Sequence, residues 1–344
     1  MEVNSSHPLD YHANQTQLEG IVNASSPNIG PFAISCFLGT TVATLLTNCG
    51  VLSLFLVDKS LRTPFNVYIM TLLSANIIYA GIDGPLKILT FPYPTWRLGA
   101  EVCTLRIYSG YIIAAMAIHF HLLITLNRAW ALFWPLSYRN YHSTTVAWWL
   151  CGGTVFYLHV LLLPGIILDA VYYRVPADKD CWLDSSRQFA WATFTSWWVF
   201  VAPKLFIPIC YPFLWRKEMQ RRARTAATQR FAEMTMAQTP CTSADVATAP
   251  LAQRGSSRGF IVLTLFTISI IVCWMPSLLY FQLLNFIPMD RLQTFAKVAG
   301  VLYALQGLLD PVFVCLSLRK VYRYVLRLDR MCINKEAQPM TTTK

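Results

Sequence analysis

Charge is scarce in this chain: Asp, Glu, Lys and Arg make up 13% of 344 residues, against 55% apolar. The long hydrophobic stretches also lack a polar face. Val155 to Leu168, for example, is apolar all round, which excludes a water-soluble helical bundle with a polar stripe on each helix. There is no His-Glu-x-x-His run and no nucleophile elbow, so no enzyme is expected. His119-Phe120-His121 does not make a metal site, because residues two apart on a helix point about 200° apart. Neither a metal nor any other cofactor is expected. No basic groove interleaved with aromatics invites nucleic acid, and no internal repeat supports a transporter of duplicated halves. The start, Met1-Glu2-Val3-Asn4, has no basic region followed by an apolar core. A cleavable signal peptide is therefore not expected, and the first apolar stretch must act as the membrane signal.

What the chain does have is seven apolar stretches, at residues 31–57, 65–90, 103–126, 146–169, 190–215, 260–286 and 298–318. A spanning helix needs about 20 mostly apolar residues, so the fold class is an all-α membrane protein, a seven-transmembrane helix bundle. An odd number of spans puts the two ends on opposite sides. Lys59, Arg62, Arg139, Arg216, Lys217, Arg221, Arg222, Arg224, Arg254, Arg258, Arg319, Lys320, Arg323 and Arg327 then share one side, which the positive-inside rule makes the cytoplasm. The formal charge of +11 is thus a topology signal. The expected location is the cell membrane, with the N-terminus extracellular and the C-terminus cytoplasmic.

Three parts follow from this reading. Residues 1–30 form an extracellular tail with glycosylation acceptors at Asn4, Asn14 and Asn23. Residues 31–318 form the helix domain. Residues 319–344 hold a cytoplasmic tail, opened by alternating basic and apolar residues from Leu318 to Leu328 that read as a short amphipathic helix on membrane lipid. Residues 225–257, rich in Ala, Thr, Gln and Ser, are expected to be a flexible inner loop. Most of the ten cysteines sit in apolar spans as small hydrophobes. Cys103 and Cys181 lie on the oxidising side and are expected to be bridged. Cys332 is either a palmitoylation site or an ordinary free cysteine.

Several short motifs occur in order along the spans. Asn48 lies in the first, followed by Leu61-Arg62-Thr63 and Asn66. Trp96-Arg97-Leu98-Gly99 precedes Cys103. Asn127-Arg128-Ala129 and Pro135-Leu136-Ser137-Tyr138-Arg139 follow, then Pro203 and Tyr211, Cys273-Trp274-Met275-Pro276 and Asp310-Pro311. The ordered set, over residues 31 to 328, resembles the rhodopsin-like G protein-coupled receptors. That resemblance implies an extracellular ligand bound among the outer helix ends and a heterotrimeric G protein met at the inner face. It implies an activation switch of Trp274, Pro276, Pro203, Tyr211 and Pro311, prolines being bendable points in a helix. It also implies G protein contact through Arg128, Pro135, Leu136 and Arg258.

Departures from the family pattern are equally specific. Asn76 stands where the family has Asp and Asp310 where it has Asn, an exchange expected to keep a carboxylate and an amide facing each other through water in a polar centre with Asn48. Asn127 replaces the acid that restrains the arginine, so a weaker inactive-state lock and raised basal signalling are expected. Ile270 and Val314 replace a phenylalanine and a tyrosine of the usual relay. Gly110 and Ala304 stand where amine receptors carry Asp and opsins carry the retinal lysine, so neither an amine nor retinal is expected as ligand. Asp83, Lys87, Arg106, Trp182, Tyr280, Gln282, Lys297 and Tyr303 are candidate pocket residues. Their mostly positive charge points to a peptide or small-molecule ligand bearing a carboxylate or phosphate, such as a peptide terminus or a lipid acid, or else to side chains snorkelling to the outer surface. Lys204, beside Pro203, is left to pair with an acid or to lose its proton. Two other readings stay open: a binding protein or decoy that does not signal, and a seven-span transporter with Asp83, Lys204 and Asp310 along its path.

Overall fold

The computed structural model describes residues 30–90, 96–174, 181–238, 254–283 and 289–317. Asn4, Asn14, Asn23, Cys332 and the amphipathic segment from Leu318 lie outside the described residues. Among the described residues seven helices are long and apolar enough to cross a membrane. The protein is a multi-pass membrane protein.

The first span is the helix Gly30–Val57 and the second is Pro64–Thr90, joined by a 3-10 turn, Lys59–Leu61, that the Asp58 carboxylate caps. The third runs from Gly99 to Phe133 and the fourth from Thr144 to Tyr173. Between them lies a short helix, Pro135–Tyr141, started by proline at its first turn, and Ser143 caps the fourth. The fifth begins at Phe189 and continues as Ala202–Gln238. The sixth comprises Arg254–Cys273 and Met275–Leu283, and the seventh is Met289–Ser317. The third span is central, packing on the second, fourth, fifth and sixth, while the seventh closes the ring against the first, second and sixth.

Two features correct the sequence reading. The expected inner loop at 225–257 is helical as far as Gln238 and again from Arg254, because its Ala, Gln, Arg, Glu and Met residues favour helix once a long span has supplied the nucleus. Secondly, the irregular turns of the spans include ones that the prolines named as bendable points do not mark. Wide π-helical turns occur at Ser109–Ile113, Asp169–Tyr173 and Ser196–Val201, the last just before Pro203, whose missing N–H favours such a turn. Pro311 lies inside an unbroken helix, whereas the sixth span breaks at Trp274, two residues before Pro276.

The bundle is apolar outside and holds a set of polar groups within an otherwise apolar interior. Leu46, Trp149, Phe156, Val160 and Ile209 are exposed, as lipid contact requires, while Asn48, Asn76, His121, Lys204 and Asp310 are buried. A buried polar group there costs free energy unless it is paired. Two glycines allow the close helix approaches: a Cβ on Gly165 would meet the Trp191 ring at 2.3 Å, and one on Gly84 would meet Thr41 at 2.5 Å.

Candidate functional site

One end of the bundle is fastened by a disulfide. Cys103, at the start of the third span, is bridged to Cys181 with a Cα–Cα distance of 5.5 Å. A buried ion pair that the sequence reading missed adds to it. The Asp169 carboxylate accepts from Arg174 Nε at 2.9 Å and from the Asp184 backbone N–H at 2.8 Å, and Arg174 also reaches Thr104 and the Ala100 carbonyl. These contacts fix the fourth span and the segment after Cys181 onto the third.

Below this lid lie the candidate pocket residues. Lys87 is paired with Asp83 at 2.8 Å, one turn apart on the second span, and sits over Tyr79. Arg106 stacks on Trp96 at 5.5 Å. Trp182 is half-buried, Tyr280 is fully buried against Phe295, and Tyr303 faces Trp274 at 6.4 Å. The side chains of Gln282, Lys297 and Arg258 lie outside the described residues. Deeper in the bundle, Lys204 is 1% exposed, with its ammonium 5.7 Å from the Trp274 ring and 5.6 Å from that of Tyr303. Burying an ionised ammonium costs several kcal/mol even after relaxation. Two aromatic faces near the 6 Å limit of cation–π attraction return about 0.5–2 kcal/mol each.

The polar centre is one connected network. Asp310 accepts from Asn76 Nδ2 at 2.9 Å, from Gln306 Nε2 at 2.7 Å and from His121 Nε2 at 3.3 Å. Asn76 also donates to Asn48 Oδ1, Asn48 to the Gly307 carbonyl at 2.8 Å, and Gln306 to Ser269 Oγ. Five spans therefore meet here. The carboxylate and amide that the exchange at 76 and 310 was expected to join through water touch directly. His121 is the residue the sequence reading set aside. Its two-apart spacing from His119 does exclude a shared metal, yet says nothing of a partner on another helix. The ring stands edge-on to Trp274 at 5.2 Å and to Phe266 at 4.8 Å, so it links the aromatic layer to Asp310. His119 instead bonds the Ala115 carbonyl within its own helix. Ile270 and Val314 are wholly buried in the apolar clusters, and Tyr211 donates to Thr264 Oγ1 at 3.2 Å.

At the basic end Arg128 lies over the Phe65 ring at 3.4 Å, and its Nε is buried without a hydrogen-bond partner among the described residues. Asn127 points elsewhere. Its Nδ2 donates to His142 Nε2 at 2.9 Å, and its Oδ1 accepts from Tyr138 at 3.3 Å. Tyr68 of the second span reaches the same His142 nitrogen at 3.1 Å, and Tyr138 stacks on the ring at 4.4 Å. Burial, with the nearby Arg128 charge, holds the His142 pKa below its ordinary value and so favours the neutral ring that can accept the Asn127 bond. Pro135 and Leu136 begin the adjoining short helix, with Leu136 exposed. Sequence spacing showed Asn127 beside Arg128 but gave no sign of His142, 15 residues away.

Seven spans, the bridged third helix and the ordered motifs coincide with a family match: residues 47–313 fit the family described as 7 transmembrane receptor (rhodopsin family). The chain belongs to that family. Receptors of this family signal and are not enzymes. Over 53% of its length the receptor is 24% identical to the 5-hydroxytryptamine receptor 1D of Cavia porcellus, covering 48% of that protein. Over 62% it is 26% identical to the muscarinic acetylcholine receptor M1 of Homo sapiens, covering 47%. Over 59% it is 24% identical to the rhodopsin of Enteroctopus dofleini, covering 45%. The receptor thus spans about half the length of these relatives.

Proposed function

We propose that this receptor binds an extracellular ligand at its disulfide end and activates a heterotrimeric G protein at its basic end. The positive-inside rule places the basic end in the cytoplasm and the N-terminus outside the cell. The observation that carries the reading is His121, which touches Trp274 and Phe266 on one side and Asp310 on the other. A ligand that displaces Trp274 at the break in the sixth span moves His121, and His121 moves the polar centre of five spans. Here His121 takes over the relay part that Ile270 and Val314 leave vacant. Arg128 then leaves Phe65 and meets the G protein, with Pro135 and Leu136 beside it. Gly110 and Ala304 argue for a ligand that is neither an amine held by an aspartate nor retinal.

The test is recruitment across the main G protein classes in cells, with the natural chain, Arg128→Ala and His121→Ala at matched surface levels. Recruitment by the natural chain that Arg128→Ala abolishes is the expected outcome, with His121→Ala shifting its level. Recruitment that survives Arg128→Ala unchanged removes the proposed G protein contact. Substrate flux that persists in the same variant favours a transporter.

A further inference from the structure

Lys204 has no place in the relay from Trp274 through His121 to Asp310. It projects from the fifth span just after the π-helical turn, is buried at the level of Trp274, and lies against the faces of Trp274 and Tyr303. Among the described residues it makes neither a hydrogen bond nor an ion pair. Among the described residues, the acids buried in the bundle are already engaged. Asp83 holds Lys87, Asp169 holds Arg174, Glu218 holds Arg221 and Arg222, and Asp310 accepts from Asn76, Gln306 and His121. Aromatic faces alone do not offset the burial of an ammonium group. An ammonium in an apolar layer, with no acid beside it among the described residues, is held charged only by an anion from outside the chain.

We infer that Lys204 is the anchor of an anion site, and that the ligand is a small carboxylic acid with an apolar body, its carboxylate paired with the Lys204 ammonium between Trp274 and Tyr303. This rests on the receptor reading for what the ligand does, though not for whether it binds. The single cation decides between acids. A phosphate would carry more charge and more acceptor oxygens than one lysine satisfies, and Lys87, Arg106 and Arg174, also toward this end, already have partners of their own. The body of the ligand is apolar because the core cluster that contains Trp274, and against which Tyr303 packs, is built of apolar side chains such as Phe200, Ile270 and Leu278. Drawing the ammonium onto the carboxylate takes it off the Trp274 face, and Trp274 is the ring that His121 touches. The same contact thus supplies affinity and a route to the polar centre.

The experiment reads binding without a G protein. The purified full-length receptor in detergent is heated with sodium acetate, sodium butanoate or, at equal ionic strength, sodium chloride, and butanoate is also compared with its methyl ester. Binding to the folded state alone raises the melting temperature with concentration. The expected result is a rise of several degrees with butanoate, a smaller one with acetate, and none with chloride or the ester. In Lys204→Met the rise is lost, and the ligand-free protein melts no lower than the natural one because a lone buried charge has gone. Three results overturn the proposal: no carboxylate shift in the natural protein, an equal shift in Lys204→Met, or a ligand-free Lys204→Met that melts well below it, which would mean that the ammonium was already paired. A carboxylate shift with no G protein recruitment in any assay leaves the anion site standing and defeats the signalling reading alone.

Discussion

Asp310→Asn isolates what the polar centre contributes, because the substitution keeps the shape of the side chain and removes only its charge. The carboxylate is 1% exposed and accepts three bonds, from Asn76 and His121 at Oδ2 and from Gln306 at Oδ1. An asparagine there has one acceptor oxygen and one NH2. Either orientation points that NH2 at a donor, at Gln306 in one case and at Asn76 and His121 in the other. Gln306 cannot turn its amide over without losing its bond to Ser269, whose hydroxyl is committed to the Phe266 carbonyl. At least one charge-assisted bond, about 1.5–3 kcal/mol, is lost and one buried donor is left unmatched at about 1–3 kcal/mol. Relief of burying the carboxylate offsets part of this, leaving a net loss of about 2–4 kcal/mol. Thermal unfolding of the purified receptor, followed with a thiol-reactive dye that reports exposure of the buried Cys151 and Cys273, should show a clear fall in melting temperature. The reverse exchange, Asn76→Asp with Asp310→Asn, restores a carboxylate facing an amide but not the His121 bond, so it should recover part of the loss. A single variant that melts at or above the natural protein, or a double variant no better than the sum of its singles, would refute the network as drawn.

Two other predictions concern the ends of the site. Gly165→Ala places a methyl group 2.3 Å from the Trp191 ring, which is itself held by a bond from its indole N–H to the Leu161 carbonyl. Overpacking there should destabilise by about 1–3 kcal/mol, read as lower surface expression and melting temperature, whereas Gly152→Ala, with open space around it, should be silent. At the basic end, the folded state disfavours protonated His142, so stability should rise with pH through the window below about 6.5 and be lost as the ring is protonated. His142→Ala should flatten that dependence and raise ligand-free G protein recruitment by freeing Asn127, while Asn127→Asp should lower recruitment. A pH profile that does not change in His142→Ala would separate the ring from the lock.

Much of this receptor is legible in the order of its residues. The bilayer requires every spanning segment to satisfy its own backbone, so length and apolar content alone marked all seven helices. The ordered motifs named the family because each lies at a fixed depth in its span. Single-helix features such as the break beside Pro276 follow from local chemistry. Tertiary structure decided what depends on approach between distant segments. Asp310 and Asn76 are 234 residues apart, so only packing could make their contact direct. His121 was assigned to no site because its neighbours in sequence are irrelevant to it and its partners lie on the sixth and seventh spans. The lock around Asn127 needed His142 folded back from beyond a short helix. Lys204 shows the division most plainly: its position beside a proline is visible at once, but that it faces two aromatic rings, and no acid among the described residues, is a property of helix rotation, which a span that is apolar on nearly every side does not encode.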